Sequence, residues 1–143
     1  MTVAKRGTIL IPSGPPQDPG RLHLFVVCSD PCAEGKQVVV SVSTRVNSLC
    51  DPTCILQPHE HRFLTKESFV FYRKASIESQ SALATGLQRG TFTSHDDMNA
   101  QSFLRIVKGI CTSPQTPRKV KKYIGCEVPT QDSELTPTAT PTK

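Results

Sequence analysis

Gln37-Val-Val-Val-Ser-Val-Ser-Thr44 constrains the fold more than any other stretch of this chain. β-Branched residues are stiff at χ1 and fit a pleated surface better than a helix. Successive strand side chains point to opposite faces, so Val38, Val40 and Val42 share one face while Val39, Ser41 and Ser43 share the other. A strand of this kind needs partners, and the other apolar runs are equally short. Thr8-Ile-Leu-Ile11, His23-Leu-Phe-Val-Val-Cys28 and Ser68-Phe-Val-Phe-Tyr72 read as strands, with a brief one at Cys54-Ile-Leu56. Ala75-Ser-Ile77 continues the Ser68 strand after a bend. Between them, Pro12 to Gly20 holds four prolines and two glycines and is a long loop.

Helical pattern comes late. Glu78 to Leu87 lacks proline and suits two turns that end near Gly90. Asn99 to Lys108 is the best helix, with Asn99 as N-cap and Phe103, Leu104 and Val107 as its apolar stripe. Short strands followed by helices predict a mainly β fold. It is a small, strongly bent sheet or partly open barrel with late helices, not a doubly wound α/β domain.

The 143 residues suit one domain, spanning 1–126. Residues 127–143, rich in proline and threonine from Pro129 onward, have almost nothing to bury and read as a disordered tail. No apolar run reaches the roughly 20 residues that span a membrane. The charged N-terminus is followed by no export-type apolar segment, so the expectation is a cytoplasmic protein whose six cysteines are reduced thiols. The net charge of +5 is concentrated in Arg118-Lys119-Val120-Lys121-Lys122. Such a run suits a phosphate backbone or, equally, a solvated face.

The densest chemistry lies in Cys50-Asp-Pro-Thr-Cys-Ile-Leu-Gln-Pro-His-Glu-His61. With Cys28 and Cys32, the thiols of Cys50 and Cys54 form two C-x3-C units, and His59 or His61 could replace one ligand. That is an accepted set for tetrahedral zinc, with buried or incidental thiols as the alternative. Cys54, His61 and Asp51 could form a nucleophile, base and orienter, although no local signature supports it. On an extended segment His59 and His61 share a face and suit acid–base work near neutral pH. Phe69 and Phe71 read as core. Tyr72, on the opposite face, is with Arg73 the candidate for stacking on and contacting RNA.

The order of pieces resembles the PemK/MazF family of plasmid-maintenance toxins. Arg6-Gly7-Thr-Ile-Leu is similar to its opening strand. The Pro/Gly loop before His23-Leu-Phe-Val-Val is similar to its long loop and second strand, and Val38 to Thr44 to its valine-rich strand. Glu67-Ser-Phe-Val-Phe-Tyr72, Ala75 to Ile77, Leu83 to Gly86 and Phe103-Leu-Arg-Ile-Val107 follow its later elements. The resemblance covers roughly residues 6 to 110. It implies an SH3-like barrel, a homodimer, and metal-independent cleavage of single-stranded RNA that a partner antitoxin inhibits. His23 stands where the family has an arginine, with Arg21 two residues before it. Ser43 and Thr44 stand at its Thr/Ser position, so these four are the implied catalytic residues. An acidic residue the family often has after the Ser68 strand is replaced here by Tyr72 and Arg73. Arg118, Lys119, Lys121 and Lys122 lie outside the family pattern and are candidate RNA contacts on charge alone.

Overall fold

In the computed structural model, which describes residues 3–126, six strands form one antiparallel sheet that curls into a half-barrel. The strands are β1 Thr8–Pro12, β2 Leu22–Val27, β3 Lys36–Thr44, β4 Ile55–Leu56, β5 Ser68–Ser79 and β6 Thr93–His95. Their order across the sheet is β4-β5-β3-β2-β1-β6. Helices α1 Gln80–Gln88, α2 Ala100–Thr112 and α3 Arg118–Ile124 come late in the chain. This is the small, partly open barrel with late helices that the strand pattern implied. Among the described residues, no helix is long and apolar enough to cross a membrane. The tail expected at 127–143 lies outside the described residues.

Period-two alternation carries through β3. Val38, Val40 and Val42 enter the main core with Leu24, Val26 and Val70, while Val39 packs on the other face with Ile9, Val27 and Leu83. The register between β3 and β5 slips where Val39 pairs with Ser76 but Ser41 pairs with Phe71. The extra β5 residues are the expected bend before Ala75, and they keep the two halves of the strand continuous.

α2 is capped as expected, since the Asn99 side chain accepts from the backbone N–H of Gln101 and Ser102. Its buried stripe differs from the expected one. Phe103, Ile106 and Ile110 are buried, whereas Leu104 is 68% exposed. The i, i+3, i+7 spacing wins because it faces the sheet, and i+1 lies about 100° around a helix of 3.6 residues per turn. β6 and α3 had no expectation attached. α3 grows out of the basic run, which buries only Val120 and leaves Arg118, Lys119 and Lys122 exposed.

The expectation of six reduced thiols fails at one pair. The turn after α2 folds α3 back, bringing the Cys111 and Cys126 Cα atoms to 5.4 Å, and the two are joined in a disulfide.

Arg6 holds a left-handed φ of 80°, which an L-residue adopts only when locked. Its N–H donates to the Val27 carbonyl, its carbonyl accepts from Met98 N–H, and its Nε donates to the Met98 carbonyl at 2.9 Å. The Arg6-Gly7 pair that leads into β1 is therefore a structural clasp between β2 and the entry to α2.

Candidate nucleic-acid interface

Antiparallel pairing places His23 and Phe25 of β2, Ser41 and Ser43 of β3, and Phe69 and Phe71 of β5 on one face of the sheet. Phe25 pairs with Ser41, Ser41 with Phe71, and Ser43 with Phe69. α1 covers the part of this face around Val39 and Val27, through Leu83 and Leu87. The other part stays open as a groove of two adjoining cavities. The first, about 340 Å³, is lined by Ser13, Arg21, His23, Ser41, Phe71 and Lys74, among others. The second, about 750 Å³, shares Arg21, His23 and Ser43 and extends past Thr44 toward Phe63 and Phe69.

The Pro/Gly loop supplies Ser13 and Arg21. Ser13 N–H donates to the Arg21 carbonyl, and Arg21 N–H to that of Asp18, so the loop closes on itself. Gly14 is required there, because a Cβ would stand 1.9 Å from the Asp18 carbonyl oxygen and 2.7 Å from Arg21 Cβ. Arg21 also faces Asp18 at 3.6 Å, but both side chains are exposed and such a pair contributes little. Lys74 enters the groove from the β5 irregularity, its Nζ 5.4 Å from the Phe71 ring centroid.

His23 is the titratable centre of the groove. Its Nδ1 lies 2.8 Å from Ser13 Oγ. The Ser13 hydroxyl donates its one proton to the Ile11 carbonyl at 3.2 Å, so it accepts from His23 Nδ1–H. That tautomer leaves Nε2 with a lone pair. Partial burial lowers the His23 pKa below the ordinary histidine value, and the charges of Arg21 and Lys74 lower it further. Both effects favour the neutral imidazole, the form able to accept a proton. None of the described residues lining either cavity is Asp or Glu, so the groove lining is cationic, with Asp18 facing Arg21 from the loop.

The implied catalytic four are therefore brought together in part. Arg21, His23 and Ser43 line both cavities, and exposed Thr44 lines only the larger one. Tyr72 is a correction. It is fully buried, and its hydroxyl donates to the Ile106 carbonyl at 2.7 Å, so it cannot stack on RNA. The reason is the curl of the sheet, which turns the face opposite Phe71 into the main core. Phe71 is corrected in the other direction, being half-buried and part of the groove wall. Arg73 is exposed but lines neither cavity. Arg118, Lys119, Lys121 and Lys122 also lie elsewhere. α3 is anchored by Tyr123 to the Lys36 carbonyl, seven residues along β3 from Ser43, or about 23 Å at 3.3 Å per strand residue.

The Cys/His residues do not converge. Cys28 is buried, and burial pushes its thiol up to about 12. Cys54 is buried in the same core and likewise raised by burial. Cys32 is exposed in the β2–β3 turn, its thiol lowered by the Tyr123 hydroxyl and the backbone N–H groups of Lys36 and Glu34, whereas Cys50 is half-buried after β3. Among the described residues, no group of three or more His, Cys, Asp or Glu is placed to hold a metal ion.

His59 and His61 do not share an extended face, because Pro58–Glu60 is a 3-10 turn. His59 is exposed and His61 buried. His61 Nδ1 accepts from Phe63 N–H at 3.0 Å, and its Nε2–H donates to the Asp96 carbonyl at 2.8 Å. Asp51 accepts from the Thr53 and Ser113 hydroxyls. Both partners of the Cys54 triad are therefore occupied elsewhere, and that arrangement is not formed.

Sequence reasoning missed Ser13, Ser41 and Lys74. The signal for Lys74 was the adjacent pair Arg73-Lys74 inside a strand, which breaks alternation. Ser13 carried no local signal, since the loop fold alone sets it beside His23. No family model matches this chain, and no curated protein matches it.

Proposed function

We propose that the open groove binds single-stranded RNA and cleaves it without a metal ion. One observation carries the reading: a histidine hydrogen-bonded to Ser13 shares with Arg21 and Lys74 a groove that no carboxylate lines among the described residues. His23 Nε2 takes the proton from a ribose 2′-OH as that oxygen attacks the adjacent phosphorus. Arg21 and Lys74 balance the charge that builds on the phosphoryl oxygens, and the Ser43 hydroxyl is placed to donate to one of them. The 5′ oxygen leaves with a proton from solvent, and the upstream fragment ends in a 2′,3′-cyclic phosphate. The strand-by-strand resemblance to PemK/MazF adds the rest of the reading. It makes the protein the toxin of a toxin–antitoxin pair, acting as a homodimer and restrained by an antitoxin.

The lack of a carboxylate in the groove also favours a second reading. Among the described residues no carboxylic acid lines the groove to protonate the leaving group, which fits a groove that serves binding alone. RNA and DNA of one sequence, incubated with the protein in EDTA, separate the two. Cleavage of RNA but not DNA, lost on His23→Ala while RNA binding persists, supports the ribonuclease. Intact RNA that still binds assigns the groove to binding.

A further inference from the structure

The larger cavity has a character that phosphate binding does not use. Among the described residues, the large hydrophobic side chains exposed to solvent are Leu22, Val46, Leu49 and Leu104, and two of these, Leu22 at 43% and Val46 at 81%, line this one cavity. Phe63 and Phe69 line it too. Its volume of about 750 Å³ falls in the range of small-molecule sites. Polar groups line it as well, from Ser43, Thr44, Thr65 and Lys66. The narrower cavity beside it holds the Arg21 and Lys74 cations together with His23.

A cationic end continuous with an aromatic and aliphatic end has the layout of a nucleotide, with charge at the phosphate and a flat apolar face at the base. We infer that the larger cavity is a nucleobase subsite. It takes one unpaired base of the strand whose phosphate lies at Arg21 and His23. The base lies against Phe63, Phe69 and Val46, while the Ser43 and Thr44 hydroxyls and the Lys66 ammonium meet its polar edge. The occupant is a base rather than a free aliphatic ligand because the cavity opens onto the cations through shared walls. This inference rests on the reading of the groove as an RNA site, and it adds a base-dependent component to the affinity.

Short 2′-O-methyl RNA oligonucleotides, which lack the attacking hydroxyl, would be titrated against the full chain by fluorescence anisotropy. A single abasic position is scanned through the strand. Base–aromatic contacts weaken on removal by about 5- to 100-fold in affinity. One position should show that loss while the others change little. Val46→Ser with Leu22→Thr, both at exposed sites, should erase the difference and leave the abasic strand bound as before. Circular dichroism melts verify that the variant is folded. Equal binding of intact and abasic strands at every position, with binding still sensitive to salt and to Arg21→Ala, would overturn the base subsite and leave the RNA groove standing. No binding of any oligonucleotide would overturn both.

Discussion

Gly109→Ala is a test of the core in which two effects of opposite sign compete. Gly109 lies inside α2, where alanine favours the helix over glycine by about 1 kcal/mol. On propensity alone the variant should be more stable. Packing says the opposite, because a Cβ at 109 would stand 1.9 Å from the Tyr72 hydroxyl oxygen and 2.5 Å from Tyr72 Cζ. Tyr72 is fully buried and cannot swing aside. Overpacking a well-filled core costs about 1–3 kcal/mol. Pushing the hydroxyl off the Ile106 carbonyl leaves a buried polar group unpaired, at a further cost of about 1–3 kcal/mol. After the propensity gain is subtracted, the expected loss is about 3 kcal/mol. Urea unfolding followed by circular dichroism at 25 °C measures it directly. Tyr72→Phe in the same background should recover part of the loss, since it removes the nearest atom and the orphaned hydroxyl together. A Gly109→Ala protein as stable as the parent or more so would refute the placement of Tyr72 under α2.

Breaking Cys111–Cys126, by reductant or by replacing both with serine, should lower stability by about 3 kcal/mol, the entropy of a loop near 15 residues, read from the same urea curves. His61 is held below the ordinary histidine pKa, first by burial and also by the nearby His95 and Arg62 charges. The unfolded chain therefore binds a proton below about pH 6.5 that the folded chain refuses, and stability falls as pH falls through that window. His61→Gln should flatten the dependence, and an unchanged pH slope would remove His61 as its source. Replacing Arg21 and Lys74 by alanine should flatten the salt dependence of RNA binding by about 0.7 units of slope each, whereas Lys119→Ala with Lys122→Ala should not change it. Any RNA cleavage should lose rate on the acid side with a midpoint below about 6.5, as His23 takes up a proton.

Much of the sheet was legible in the chain because β-branched runs with period two leave little else to form. β3 and the first part of β5 follow from that pattern, and the cap at Asn99 follows from its side-chain acceptor, while the end of β5 at Glu78 and Ser79 read as helix. Strand faces were harder. Phe71 and Tyr72 alternate correctly, but which side of a curled sheet faces water depends on where the helices land, and that is set by contacts far along the chain. His23 and Arg21 were readable as a pair through the family resemblance. Their partners were not, because Ser13 reaches His23 through a loop closed by Gly14 and Asp18, and Lys74 enters through a register slip. The cysteine spacing drew attention to C-x3-C units that the fold separates, while the pair that joins lies in the last turn of α2 and just beyond α3, 15 residues apart with no spacing motif.

The product ends of the proposed reaction test its central claim most directly. Single-stranded RNAs incubated with the folded protein in EDTA would be analysed by mass spectrometry for terminal chemistry. Attack by the 2′-OH with His23 as base predicts fragments ending in 2′,3′-cyclic phosphate from the parent protein, and none from a His23→Ala variant that still binds RNA. RNA left intact by the parent protein, or fragments ending in 3′-OH, would contradict the account.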